Sequence, residues 1–92
     1  MLTFHEKREH LLTVLIRATS LSTAEKMVAL ALVFKLDSDG RSYLTLKDIC
    51  SLASMTEKTA RGAVRRLESK IGLEVDRSFK KYTYRFPQWR AL

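Results

Sequence analysis

Residues Thr45 to Leu73, TLKDICSLASMTEKTARGAVRRLESKIGL, decide the fold. After Thr56, the apolar residues Ala60, Ala63, Val64, Leu67 and Ile71 recur at helical spacing, which predicts one helix with a single buried stripe. At about 100° per residue, Lys58, Arg61, Gly62, Arg65 and Ser69 fall on the other side. That face is narrow and basic, and small at Gly62. Thr56 is a good N-cap, and Glu57 suits the positive end of the helix dipole.

Ahead of it, Leu46, Ile49, Cys50 and Ala53 form a second apolar stripe, opened by a capping box in Thr45 and Asp48. Only Ser54 and Met55 separate the two helices. So short a link forces a steep crossing, the helix-turn-helix arrangement in which the second helix is presented outward.

Toward the N-terminus, Ser22 and Glu25 form another capping box and predict a helix to about Leu36. Its run Val28–Phe34 leaves almost no polar face, so it is expected to be the central buried helix. A first helix, Thr3 to about Ala18, starts with the capping box Thr3 and Glu6. Phe4, Leu11, Val14, Leu15 and Ala18 share its packed side, and Leu12 and Ile16 widen that face, which fits simple packing within one chain or a further contact to a second chain. Asp37, Ser38, Asp39 and Gly40 read as a turn, since the other ligand positions of a calcium loop are missing. Arg41 to Leu44 is expected to be a short extended piece.

Toward the C-terminus, Gly72 ends the outward helix and the period changes to two. Leu73 and Val75, then Tyr82, Tyr84 and Phe86, alternate with polar residues and predict two half-buried strands. Arg77, Ser78, Phe79 and Lys80 form the basic tip between them. Pro87 closes the second strand, leaving residues 87–92 as a tail in which Trp89 covers the core edge or marks a contact to another domain or chain.

The net charge of +7 is not spread evenly. Residues 1–57 hold seven Lys/Arg against seven Asp/Glu, and residues 58–92 hold ten against three. An excess that starts at the outward helix favours a polyanionic partner, nucleic acid ahead of an acidic membrane. No apolar run approaches the length of a membrane span, and charged residues occupy the place of a signal-peptide core, so an intracellular protein is expected. The single cysteine, Cys50, lies on an apolar stripe and reads as a core residue. His5 and His10 lie about 140° apart on their helix, too far round to share a metal. With no phosphate loop, no nucleophile beside a base and no paired carboxylates, neither enzyme, metal, cofactor nor small-molecule substrate is expected.

The expected class is thus mainly α with a small β-hairpin (α+β), in one domain over residues 1–92. Residues 21–86 resemble the winged helix-turn-helix superfamily, with residues 1–19 as an extra N-terminal helical extension. LSTAEKMVALAL (21–32) followed by DSDGRSYLTLKDICSLASMTEKTARGAVRRLESKIGLEV (37–75) is most similar to the winged-helix domains of phage and plasmid replication proteins. It is more loosely similar to bacterial transcription regulators. The resemblance implies a bacterial, cytoplasmic binder of double-stranded DNA, with the helix from Thr56 to about Lys70 in the major groove and the Arg77–Lys81 wing on the flanking backbone. Ser54 stands where the turn of that superfamily usually has glycine.

On this reading Arg61 and Arg65 are the candidates for base edges, because a guanidinium pairs at two points with guanine. Lys58, Arg66, Lys80 and Lys81, with Arg77, are assigned to phosphates, and Thr45, Thr56, Thr59 and Ser69 to the sugar-phosphate backbone or the exposed face beside it. The plain alternative is a solvated side chain, or a pairing such as Arg61 with Glu57 or Arg65 with Glu68 or Ser69. Gly62, mid-helix and with no expected neighbour in its own domain, suggests close approach by the partner. Two half-sites read by a homodimer through the first helix fit a domain this small. The rival reading is a protein-interaction module whose basic face docks an acidic partner, with Trp89 as anchor.

Overall fold

The computed structural model describes all residues from Met1 to Leu92. Its elements follow the chain as α1 (Phe4–Arg17), α2 (Thr23–Phe34), β1 (Arg41–Leu44), α3 (Leu46–Ala53), α4 (Glu57–Ile71), β2 (Glu74–Asp76), β3 (Tyr82–Arg85) and a 3-10 turn, Pro87–Ala91. This is an α+β winged-helix layout, with four helices over a small antiparallel sheet.

Local chemistry starts each helix. Thr3, Ser22 and Thr45 each accept a hydrogen bond from the backbone N–H three residues on, and Glu6, Glu25 and Asp48 bond back to the cap N–H. Reciprocal capping holds Glu6 and Asp48 below the usual carboxylate range, through their bonds to Thr3 and Thr45. α4 has a simpler start, Thr56 Oγ1 accepting from Thr59 N at 3.3 Å. Ser54 ends α3 at φ 53, the left-handed conformation that lets the chain reverse in two residues.

The core lies where α2, α3 and α4 meet the sheet. Val28, Ala29, Leu32, Ile49, Ala60, Ala63 and Leu67 are fully enclosed, and Tyr84 and Phe86 close it from the sheet side. Each large side chain among them contributes about 1.5–3 kcal/mol by leaving water. Small residues at 60 and 63 let α4 lie close to α2.

Several expectations change here. The helix expected to be buried all round is enclosed on three sides only: Met27 and Phe34 are exposed and Leu30 is half-buried. An unbroken apolar run carries no periodicity, so its solvent side could not be read. On α1, Leu11 and Leu15 face the core, but Val14 points to solvent with Ile16. Arg41–Leu44 is more than a connector. It pairs with β3 in the register Arg41↔Arg85 to Leu44↔Tyr82, so the hairpin becomes a three-stranded sheet of order β1-β3-β2.

The C-terminal residues are not a free tail. Pro87 starts the 3-10 turn that carries Trp89 into the core at 5% exposure, with its ring centre 5.6 Å from that of Phe4 on α1. Gly40, at φ +77, lies flat on the indole: a Cβ there would fall 2.3 Å from Trp89 Cδ1. Trp89 therefore ties the turn before β1 and the start of α1 to the chain end. The expectation of an indole anchor for a partner fails, because the ring is already covered.

Candidate nucleic-acid interface

α4 and the β2–β3 loop form the two walls of a groove of about 720 Å³. Arg61 and Arg65 line the helix side, Arg77 and Lys80 the loop side, and Val64, Tyr82 and Tyr84 the floor. The i, i+4 spacing of Arg61 and Arg65 follows from the stripe that buries Ala60, Val64 and Leu67, which turns both guanidinium groups outward. Burial raises the Tyr84 hydroxyl to about 12, so it stays neutral.

The ion pairs divide the cations into two groups. The four salt bridges take up Arg66, Lys70, Arg77 and Arg90. Lys58, Arg61, Arg65, Lys80 and Lys81 are exposed and have no acidic partner. The anticipated ion pairs, Arg61 with Glu57 and Arg65 with Glu68, do not form, and both arginines stand in solvent.

Glu68 instead holds Arg77 in a two-point pair, Nη1 to Oε1 at 3.0 Å and Nη2 to Oε2 at 2.9 Å. The guanidinium also lies 5.9 Å from the Tyr82 ring centre. This pairing lowers the Glu68 carboxyl and raises Arg77. It braces the wing against α4 and pairs Glu68, one of the two acids that line the groove; the other, Glu57, has no cationic partner. Asp76 shapes the turn by accepting from Ser78 N at 2.9 Å, and Phe79 at the tip is 75% exposed. Lys80 lines the groove and Lys81 does not; Lys81 acts instead on Asp48 at the start of α3.

Arg66 was expected on the phosphate side, and its guanidinium, with the side chain still half exposed, is paired with an acid of α2. Its Nε donates to Glu25 Oε2 at 2.6 Å, while Lys70 donates to Glu25 Oε1 at 2.7 Å and to Ser20 O at 2.8 Å. Gly62 is not without a neighbour either. A Cβ at that position would sit 3.2 Å from Arg66 Nη1, so the glycine makes room for the guanidinium to lie along the helix. Of the hydroxyls, Thr45 and Thr56 serve as caps, Thr56 also donating to Thr59 Oγ1 at 3.0 Å, and Ser69 is exposed.

The Glu68–Arg77 brace and the Glu25 cluster were not legible in the sequence, because their partners lie on other elements. No group of three or more His, Cys, Asp or Glu side chains is placed to hold a metal. Burial raises the Cys50 thiol. No helix is long and apolar enough to cross a membrane.

No protein-family model matches the chain, and no curated protein matches it. Among solved structures it is similar to Bordetella bronchiseptica BpsR, in work on the mechanism by which 6-hydroxynicotinic acid regulates DNA binding of that protein. The TM-score is 0.60 and the identity 23%, over 95% of this chain and 61% of that one. The chain thus spans less than two thirds of the BpsR chain. At this identity the likeness is one of fold, and the chemistry of the groove rests on the residues that line it here.

Proposed function

We propose that the chain binds double-stranded DNA with sequence selectivity, α4 entering the major groove and the 77–81 wing lying on the flanking backbone. The observation that carries this reading is the set of unpaired cations, Lys58, Arg61 and Arg65, along the exposed face of α4, facing Lys80 across the groove. Arg61 and Arg65 read base edges; Lys58, Lys80 and Lys81 hold phosphates; Thr59 and Ser69 bond to the backbone beside them. Arg66 and Arg77 serve mainly to orient α4 and the wing. The structural likeness to BpsR, a protein whose DNA binding is regulated, supports a part in transcription regulation. Plasmid or phage replication is the role implied by the sequence resemblance. A second copy, joined through exposed Val14 and Ile16 of α1, supplies the second half-site.

The test is fluorescence anisotropy of a labelled random-sequence duplex over a range of salt concentrations, with the wild type and the Arg61→Ala, Arg65→Ala double variant. The expected result is log affinity falling linearly with log salt, with a shallower slope in the variant. Absence of binding at low salt, or equal binding by both proteins, rejects the reading.

A further inference from the structure

α2 carries a second surface that the groove does not use. Met27, Leu30, Ala31 and Phe34 recur at i, i+3, i+4 and i+7, one stripe along about 10 Å of helix. Leu52 of α3 stands beside them, and the five apolar side chains line a shallow depression of about 290 Å³. Met27 is 40%, Leu52 41% and Phe34 59% exposed. Contiguous apolar surface of this kind marks a contact site, where single exposed side chains do not. None of its residues lines the α4–wing groove.

The rim supplies the sign of the partner. From Lys26 to Lys35 there is no acidic side chain. Arg8 and Lys35 flank the Phe34 ring at 5.8 and 5.4 Å from its centre, and Lys26, beside Met27, is fixed by a 2.7 Å bond to Ile16 O. Asp48, the acid that feels Lys35, is committed to the Thr45 cap. The stripe thus has cations at both ends. A second copy of this chain would set cations against cations whichever way the two helices ran, and an apolar floor offers nothing to a phosphate.

We propose that the Met27–Leu30–Phe34–Leu52 surface docks an amphipathic helix of a partner protein whose apolar stripe is flanked by acidic residues. Anchors at i, i+3 and i+7 of such a helix match the spacing on α2, and its carboxylates meet Lys26, Arg8 and Lys35.

The full chain, labelled with nitrogen-15, is titrated with a synthetic helix bearing leucines at that spacing and glutamates on both flanks. A matched peptide with lysines in their place is the control. Amide shifts confined to the stripe and its rim, with the glutamate peptide binding about tenfold or more tighter than the lysine peptide, are expected. Phe34→Ser with Met27→Ser should abolish that difference and leave the melting curve and the affinity for duplex DNA, whatever its value, as in wild type. Lys35→Glu keeps the apolar surface and should weaken only the glutamate peptide. Equal affinity for both peptides, shifts elsewhere, or no binding overturns the proposal. Stripe resonances that move with protein concentration alone overturn it too, in favour of self-association.

Discussion

Glu25 Oε2 on α2 lies 2.6 Å from Arg66 Nε on α4, across a sequence separation that no local pattern bridges. The carboxylate is 1% exposed and also accepts from Ser22 N and Lys70 Nζ. One acid therefore caps α2 and fixes the rotation of α4, which decides where Arg61 and Arg65 point.

The Glu25 carboxyl is lowered from 4.5 to about 2, first by the Lys70 hydrogen bond, against burial, and further by Ser22 and Arg66. In the unfolded chain it takes up a proton more readily. Its pairing stabilises the fold above about pH 4.5 and is lost as the pH falls toward 2. Glu25→Gln is expected to cost about 1–3 kcal/mol at neutral pH, limited by the solvent reaching Arg66 and Lys70. Its stability should fall less than that of wild type over this acid range. Urea denaturation at several pH values checks this, and parallel pH profiles would contradict it.

Gly62→Ala removes a helix-interior glycine, worth up to about 1 kcal/mol, and presses a methyl toward Arg66 Nη1. The guanidinium is the end of a flexible side chain and can give by a few tenths of an ångström. A small rise in melting temperature is expected, with weaker duplex binding as Arg66 shifts on the face of α4. Calorimetry and anisotropy on the same preparation measure both; unchanged or tighter binding removes any role for Gly62 at the interface.

Gly40→Ala meets two obstacles, a left-handed backbone and an indole 2.3 Å from the new Cβ. A loss of about 2–4 kcal/mol is expected, from overpacking and φ strain together. Tryptophan fluorescence should shift to the red as Trp89 leaves its site. A variant as stable as wild type would mean that the indole is not held by this turn.

Ser54→Gly should work in the opposite direction. Serine at φ 53 carries strain that glycine lacks, so the change is expected to stabilise by about 0.5–1 kcal/mol. Chemical denaturation reads it directly, and a loss of stability would show that the serine side chain contributes more than its backbone costs.

How far the sequence discloses the structure depends on the range of the interaction. The caps at Thr3, Ser22, Thr45 and Thr56 are written within four residues and are present as read. The outward face of α4 is legible because a buried stripe defines its opposite. The pairings that decide which cations remain free join residues such as Glu25 and Arg66, or Glu68 and Arg77, that only the tertiary fold brings together. The same holds for Trp89 over Gly40. For α2, a run with no polar residue hides which side faces solvent, and so hides the exposed stripe at Met27 and Phe34.

The strand order has a consequence for the timing of folding. β3, the last strand made, lies between β1 and β2, so neither earlier strand finds its partner until residues 82–85 leave the ribosome. The helix-turn-helix unit is synthesised before it, so the wing that opposes α4 takes shape only after residues 82–85 have emerged. A nascent chain thus has its outward helix before its groove. The cations of α4 therefore have no opposing wall until β3 has been made.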